Sequence, residues 1–566
     1  MDEKIIYMQN KFLNSSLFLG ILCLFSVISC SKKIDDAYLN PNAPVIVDVE
    51  TILPGVIGSF TAFNSAAGTN YGVQIDDVLL GRYIQYWGST TNGENYGGMG
   101  GTLGSDNTGG IWAAAYYGHG QNVNRIIEWG IQQQKWDFVG VAYAVRAWDW
   151  LELTNQYGEA ILKEAFNTSL SQFHYDTQPE FYDSCRVICH RALSYLNRTD
   201  GNVNPTNLAK SDEYFNKGNL DKWKKFVYGI LARSFIDLSN KSNFISSGFA
   251  DSAIKYANLS CKTNADNILA TFSGLNSSNG FNSYFGPTRS NIGTIRQGGY
   301  IANLMSGANT SAFTGVSDPR AWYMLSENAN GTFKGVTPWL GVTEYTTGAN
   351  NTPTANYPKN FWRHPTQAST TGTNDSAKYV YGNTSPWPMM TASEMQFTIA
   401  EAAYRKGDPT TALAAYTNAI SLNFDMLTTT YEFKIPAGHS ITPASKAAYM
   451  SSLAVVPPSI TEFTMTHIML QKYIALYGWG THQTWTDMRK YHYTAIDPST
   501  GKQVYADFTP PPTSPINYLV STNNGKWVYR CRPRFNSEYL YNIPELTRLG
   551  ALNNDYNTYE CWFSMP

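Results

Sequence analysis

Residues 394–424 read EMQFTIAEAAYRKGDPTTALAAYTNAISLNF, and this stretch decides the fold class. Phe397, Ala400 and Tyr404 make one stripe at helical spacing, and Ala412, Tyr416, Ala419 and Ile420 make a second. Gly407-Asp408 breaks the pattern between them. The small residues Ala400, Ala412 and Ala419 permit close helix contact, and Tyr416 fills the gap. This is the tetratricopeptide pattern of paired antiparallel helices. It appears clearly once, so a generic helical hairpin also fits this segment taken alone.

Outward from the hairpin, other segments carry the same 3.6-residue period. Trp112, Tyr116, His119, Val123 and Ile126 form one stripe; Val141, Val145, Trp148 and Leu151 a second; Trp223, Phe226, Val227, Ile230 and Ser234 a third. The expected class is mainly α. Cys185 and Cys189 stand four apart beside His190, but no second pair with ligand spacing lies nearby. Phe181, Cys185, Ile188, Ala192 and Leu196 share one apolar stripe, so core packing is the reading. Between the helices lie long stretches rich in Gly, Asn, Ser and Thr, at 88–110, 262–300 and 328–378. Loops of that length are usually functional or disordered.

Residues 1–29 have the layout of a secretory signal: Lys4 and Lys11, an apolar run from Leu17 to Ile28, then Ser29. A run of about a dozen residues is too short to cross a bilayer, which takes roughly 20. Val27-Ile28-Ser29-Cys30 resembles a bacterial lipobox, which makes Cys30 a lipid anchor after cleavage. Residues 30–46, with Asn40-Pro41-Asn42-Ala43-Pro44, read as a tether, and 47–566 as the folded body. Of the seven cysteines, Cys531 and Cys561 are a pair that an oxidising compartment allows to join.

Charged residues are 15% of the chain, so much of the polar surface must come from Asn, Ser, Thr, Gly and Tyr. A net charge of −2 supplies no basic field for nucleic acid. Aromatics reach 14%, which suits a half-wet binding surface and equally suits thick aromatic core layers.

Taken in order, several pieces together resemble the SusD/RagB family of nutrient-binding outer-membrane lipoproteins. They are the lipobox and Asn-Pro tether; Trp112 to Ile127; Arg146-Ala147-Trp148 through Tyr157-Gly158-Glu159-Ala160; Gly218-Asn219 to Ala232-Arg233; Asp318-Pro319-Arg320; Ala400 to Tyr404; Gln471 to Tyr477; Trp485 to Arg489; and Arg534 to Asn542. The order carries the resemblance more than any one piece. It implies a SusD-like fold, with a scaffold of tetratricopeptide-like helix pairs on one side and irregular loops forming a ligand face on the other. It also implies a lid-like partner of a SusC-like TonB-dependent transporter, which binds glycans, or peptides in the RagB-like branch, and is not an enzyme. Asp35-Asp36 is loosely similar to a surface-export signal, from which Lys32-Lys33 departs.

A sugar ring has an apolar face and a rim of hydroxyls, so its site needs flat aromatics with Asn, Asp or Arg close by. The first such cluster is Asp76-Asp77, Arg82, Trp87, Asn92 and Tyr96, and the family's stacking tryptophan corresponds to Trp87 or Tyr96. The second is Tyr284, Phe285, Arg289 and Tyr300; Trp339 stands in a third loop. The plain alternative for each aromatic is a ring pinned onto the scaffold. Asp318-Pro319-Arg320 reads as structural.

No cofactor or metal constellation is read. Gly97-Gly98-Met99-Gly100-Gly101 lacks the Gly-Lys-Ser/Thr ending of a phosphate loop and reads as a flexible loop. No serine-hydrolase elbow or zinc-protease motif appears. Two other classes remain beside nutrient capture: a glycoside hydrolase, for which Asp76-Asp77 has no defined separation, and a pure protein scaffold.

Overall fold

The hairpin at the centre of the sequence reading forms two helices, Ala392–Lys406 and Pro409–Thr430. Thr391 starts the first by accepting the Glu394 N–H at 3.2 Å. Gly407 stops it with a φ of +83°, a conformation that costs glycine little. Asp408 then caps the second helix by accepting the Thr411 N–H at 3.1 Å, with Pro409 in the first turn. Ala400, Ala412 and Ala419 are fully buried, and the buried Tyr416 donates its hydroxyl to the Val455 carbonyl at 2.5 Å.

The computed structural model describes residues 46–61, 76–101, 103–272, 295–349, 351–360, 377–382 and 384–566. Cys30, Tyr284, Phe285 and Arg289 lie outside the described residues. The main helices, in chain order, are α1 (Leu53–Thr61), α2 (Asp77–Tyr83), α3 (Gly120–Gln132), α4 (Trp136–Tyr157), α5 (Gln178–Leu196), α6 (Leu220–Ile236), α7 (Phe249–Leu259), α8 (Gly299–Ser306), α9 (Ala392–Lys406), α10 (Pro409–Thr430), α11 (Met465–Ala475) and α12 (Thr481–Lys490). From α3 to α7 each helix packs on the next, α7 packs on α9, and α9 on α10. The hairpin therefore continues the stack, with α11 packed on both of its helices, and this gives the chain a helix-pair scaffold. Among the described residues no helix is long and apolar enough to cross a membrane.

Helix α4 is buried on nearly all sides, so the stripe Val141, Val145, Trp148 and Leu151 marks only part of what it hides. Its neighbours α3, α5 and α6 surround it. Several buried charged groups here are paired, and others, such as Arg146, are satisfied by hydrogen bonds, in its case to the Gly120 carbonyl at 2.9 Å. Asp149 meets His119 at 2.9 Å, Arg233 of α6 meets Glu394 of α9 at 2.6 Å, and Lys490 of α12 meets Glu401 of α9 at 2.8 Å. The stripe from Trp112 to Ile126 does not form one helix. A short helix, Gly110–Ala113, runs into a π turn at Ala114–Gly118 before α3 begins. The chain closes so tightly there that a Cβ on Gly120 would lie 1.8 Å from the Ala115 carbonyl oxygen.

The five described cysteines are buried free thiols, Cys531 and Cys561 included. Cys185 donates to the Ala147 carbonyl of α4 at 3.4 Å and belongs to the core. Arg320 is fully buried as well: it meets Asp318 at 2.6 Å, Gln471 of α11 at 2.7 Å and Asn423 of α10 at 2.9 Å. The Asp-Pro-Arg segment thus fastens its loop to two helices.

Short antiparallel ribbons tie the loops together. β1 (Trp87–Ser89) pairs with β3 (Ile295–Gln297), and β2 (Ile268–Ala270) with β6 (Trp387–Met390). β4 (Thr346–Thr347) pairs with β5 (Thr352–Pro353), and β7 (Ile496–Asp497) with β8 (Lys502–Gln503).

Candidate binding site

Pairing of Trp87 with Gln297 across β1 and β3 brings the first aromatic loop beside the chain that enters α8. The third loop is laid on the same ribbon. The Val336 N–H donates to the Gln297 carbonyl at 2.9 Å, and the Gly299 N–H to the Val336 carbonyl at 2.8 Å. Gly93 then donates to the Trp339 carbonyl at 3.0 Å. Gly97 approaches this segment so closely that a Cβ there would sit 2.3 Å from the Pro338 oxygen. The glycine run expected to be a flexible loop is therefore packed: residues 97–100 are buried, and the missing side chains let backbone meet backbone.

Where these segments meet there is a cavity of about 270 Å³, lined among others by Gln85, Tyr300, Asn303, Asn309, Trp339 and Asp507. Trp339 is 7% exposed and tilts toward Tyr518, ring centres 6.5 Å apart. Tyr300 donates to the Ala506 carbonyl at 2.9 Å and packs its ring on Tyr473 and Phe508. Gln85 donates to the Thr509 carbonyl at 2.6 Å. Asn309 is 4% exposed, and among the described residues its Nδ2 meets no acceptor. Asp507 accepts the main-chain N–H groups of Thr310 at 2.8 Å and Ser311 at 2.7 Å, and the Ser311 hydroxyl at 2.6 Å. Burial pushes this carboxyl up, but the hydrogen bonds outweigh it and hold the group below the usual carboxylate range.

Two of the sequence candidates, Tyr300 and Trp339, thus meet in one cavity. The others take different places. Trp87 is 3% exposed, donates its indole N–H to the Val78 carbonyl at 2.9 Å, and lies on Gly81, where a Cβ would be 2.2 Å from the ring. Arg82 pairs with Glu94 at 2.6 Å, its guanidinium 5.9 Å from the centre of the buried Tyr96 ring. Glu94 also accepts the Gly97 N–H at 2.8 Å, so this set braces the turn behind the cavity. Asn92 is exposed at the loop edge. Asp76 and Asp77 turn into the core, where Asp76 accepts the Gln156 amide at 2.7 Å and Asp77 pairs with His482 at 2.8 Å. Sequence reading missed Gln85, Asn303, Asn309 and Asp507, because no local pattern links positions so far apart.

Aromatic walls with amides and one carboxylate can stack on a sugar ring and bind its hydroxyls. The family model described as starch-binding, associating with outer membrane, matches residues 59–511. No curated protein matches. Among solved structures, one titled a chitin-binding protein is 18% identical, with a TM-score of 0.66, covering 92% of this chain and 100% of that one. A SusD/RagB family protein from Bacteroides thetaiotaomicron is 19% identical, TM-score 0.62, covering 92% of this chain and 99% of its own. A chitin-binding SusD homolog from Flavobacterium johnsoniae is 15% identical, TM-score 0.60, covering 91% and 98%.

Proposed function

Since the chain belongs to the SusD-like family of starch-binding proteins that associate with the outer membrane, we propose that it captures a glycan in the cavity between Trp339, Tyr300 and Asp507. It then passes the glycan to a SusC-like TonB-dependent transporter, beside which lipid on Cys30 holds it at the outer membrane, facing outward. The observation that carries this reading is the meeting of aromatics, amides and a carboxylate from distant loops in one cavity. Two similar structures carry chitin-binding titles, which supports a carbohydrate ligand. Asp507 is the single carboxylate among the described lining residues, whereas glycoside hydrolysis ordinarily uses two, so binding without cleavage is the expected chemistry.

Glycan arrays followed by calorimetry test the reading. Purified protein is expected to bind a carbohydrate and leave it uncleaved. Peptide binding with no carbohydrate affinity moves the protein to the RagB-like role; release of shorter sugars makes it an enzyme.

A further inference from the structure

Beyond Asp507 lies a second hollow of about 500 Å³, lined by residues that include Ser311, Thr464, Glu462, His467 and Lys502. A thin wall separates it from the first cavity. Thr310 and Asp507 line one side, their chain neighbours Ser311 and Ala506 the other. The Asp507 carboxylate pins that wall by binding both N–H groups, and Thr310 and Ser311 are exposed along it. A ligand lying over the wall therefore meets both hollows.

The second hollow offers a free donor. His467 Nδ1 accepts the Thr464 N–H at 3.2 Å, so the neutral ring carries its proton on Nε2. Among the described residues nothing accepts that proton. Burial lowers the ring's pKa to about 4, which keeps it neutral near pH 7. Glu462 and Lys502, both exposed, contribute opposite charges, so the hollow has no net charge to attract an ionic group. The carboxylate of Asp507 beside it disfavours acidic sugars. At about 270 Å³ the first cavity falls just below the roughly 300–1,000 Å³ usual for ligand pockets. We propose that the hollow past Asp507 is a second subsite, and that the ligand is a neutral oligosaccharide chain long enough to cross from Trp339 to His467. This rests on the glycan reading above.

Calorimetry on the full chain with neutral chito- and malto-oligosaccharides, from the disaccharide upward, tests it. Affinity is expected to rise with length. His467→Ala should weaken the longer oligomers about three- to tenfold, the worth of one hydrogen bond, and spare the disaccharide. His467→Gln, which keeps a donor, should recover most of the loss. Lys502→Trp, at an exposed position, fills the hollow from its rim and should reproduce the length-selective loss without touching the His467 packing. Affinity that is flat with length, or insensitive to all three substitutions while still dependent on Trp339, overturns the second subsite and leaves the glycan reading standing. Failure to bind any of these sugars or any glycan on an array overturns the glycan reading itself.

Discussion

Trp87 and Trp339 look alike as sequence, each an aromatic in a polar loop, and differ in what their faces touch. The Trp87 ring is spent on Gly81, Tyr86 and Tyr477. Trp339 lines the cavity with Asn303 and Asp507. The two substitutions should therefore separate. Trp87→Ala empties a packed site and should cost about 3–5 kcal/mol of stability, read as a lower denaturation midpoint. Trp339→Ala removes a ring that is also mostly buried and should lower the midpoint as well, but it alone should cost about 1–3 kcal/mol of glycan affinity by calorimetry. If Trp87→Ala instead lowers affinity in a fully stable protein, the stacking site belongs to the first loop.

At the scale of elements, two glycines do different work. A methyl group on Gly407, between α9 and α10, would meet no atom within 4 Å, so only the φ of +83° matters there. Gly407→Ala should cost about 1–2 kcal/mol in thermal unfolding and leave ligand binding unchanged. Gly97 presses on the Pro338 carbonyl, one residue from Trp339. Gly97→Ala must push that turn away and is expected to weaken glycan binding more than it lowers stability. Equal loss of affinity in both variants would show that the hairpin and the loops are coupled.

At the scale of the whole molecule, Val49–Pro566 forms one unit of contacts, and Cys30 precedes it in the chain. Anchoring and folding are thus expected to be separable. Cys30→Ala should move the protein from the membrane fraction to the soluble fraction with its melting temperature and glycan affinity intact. A variant that still sediments with membranes would point to an uncleaved apolar segment as the anchor.

By itself the sequence determined the scaffold. The period of Phe397, Ala400, Tyr404, Ala412 and Tyr416 and the break at Gly407-Asp408 name a hairpin, because helical spacing and capping are properties of near neighbours. The same locality made the core role of Cys185 legible, whereas the structural reading of Asp318-Pro319-Arg320 came from the family resemblance. The π turn at Ala114–Gly118 was not, since it follows from a close approach of Gly120 to Ala115 that no period records. The cavity was legible only in part: Tyr300 and Trp339 carry an aromatic signal, whereas Gln85, Asn309 and Asp507 are ordinary polar residues until the ribbon of β1 and β3 and the hydrogen bonds of Asp507 to Thr310 and Ser311 draw their loops together. Only the tertiary structure decided which aromatics face the cavity and which are buried behind it. An aromatic side chain favours a greasy stack and a sugar face on the same physical grounds, so its neighbours in space, and not its neighbours in sequence, choose between them.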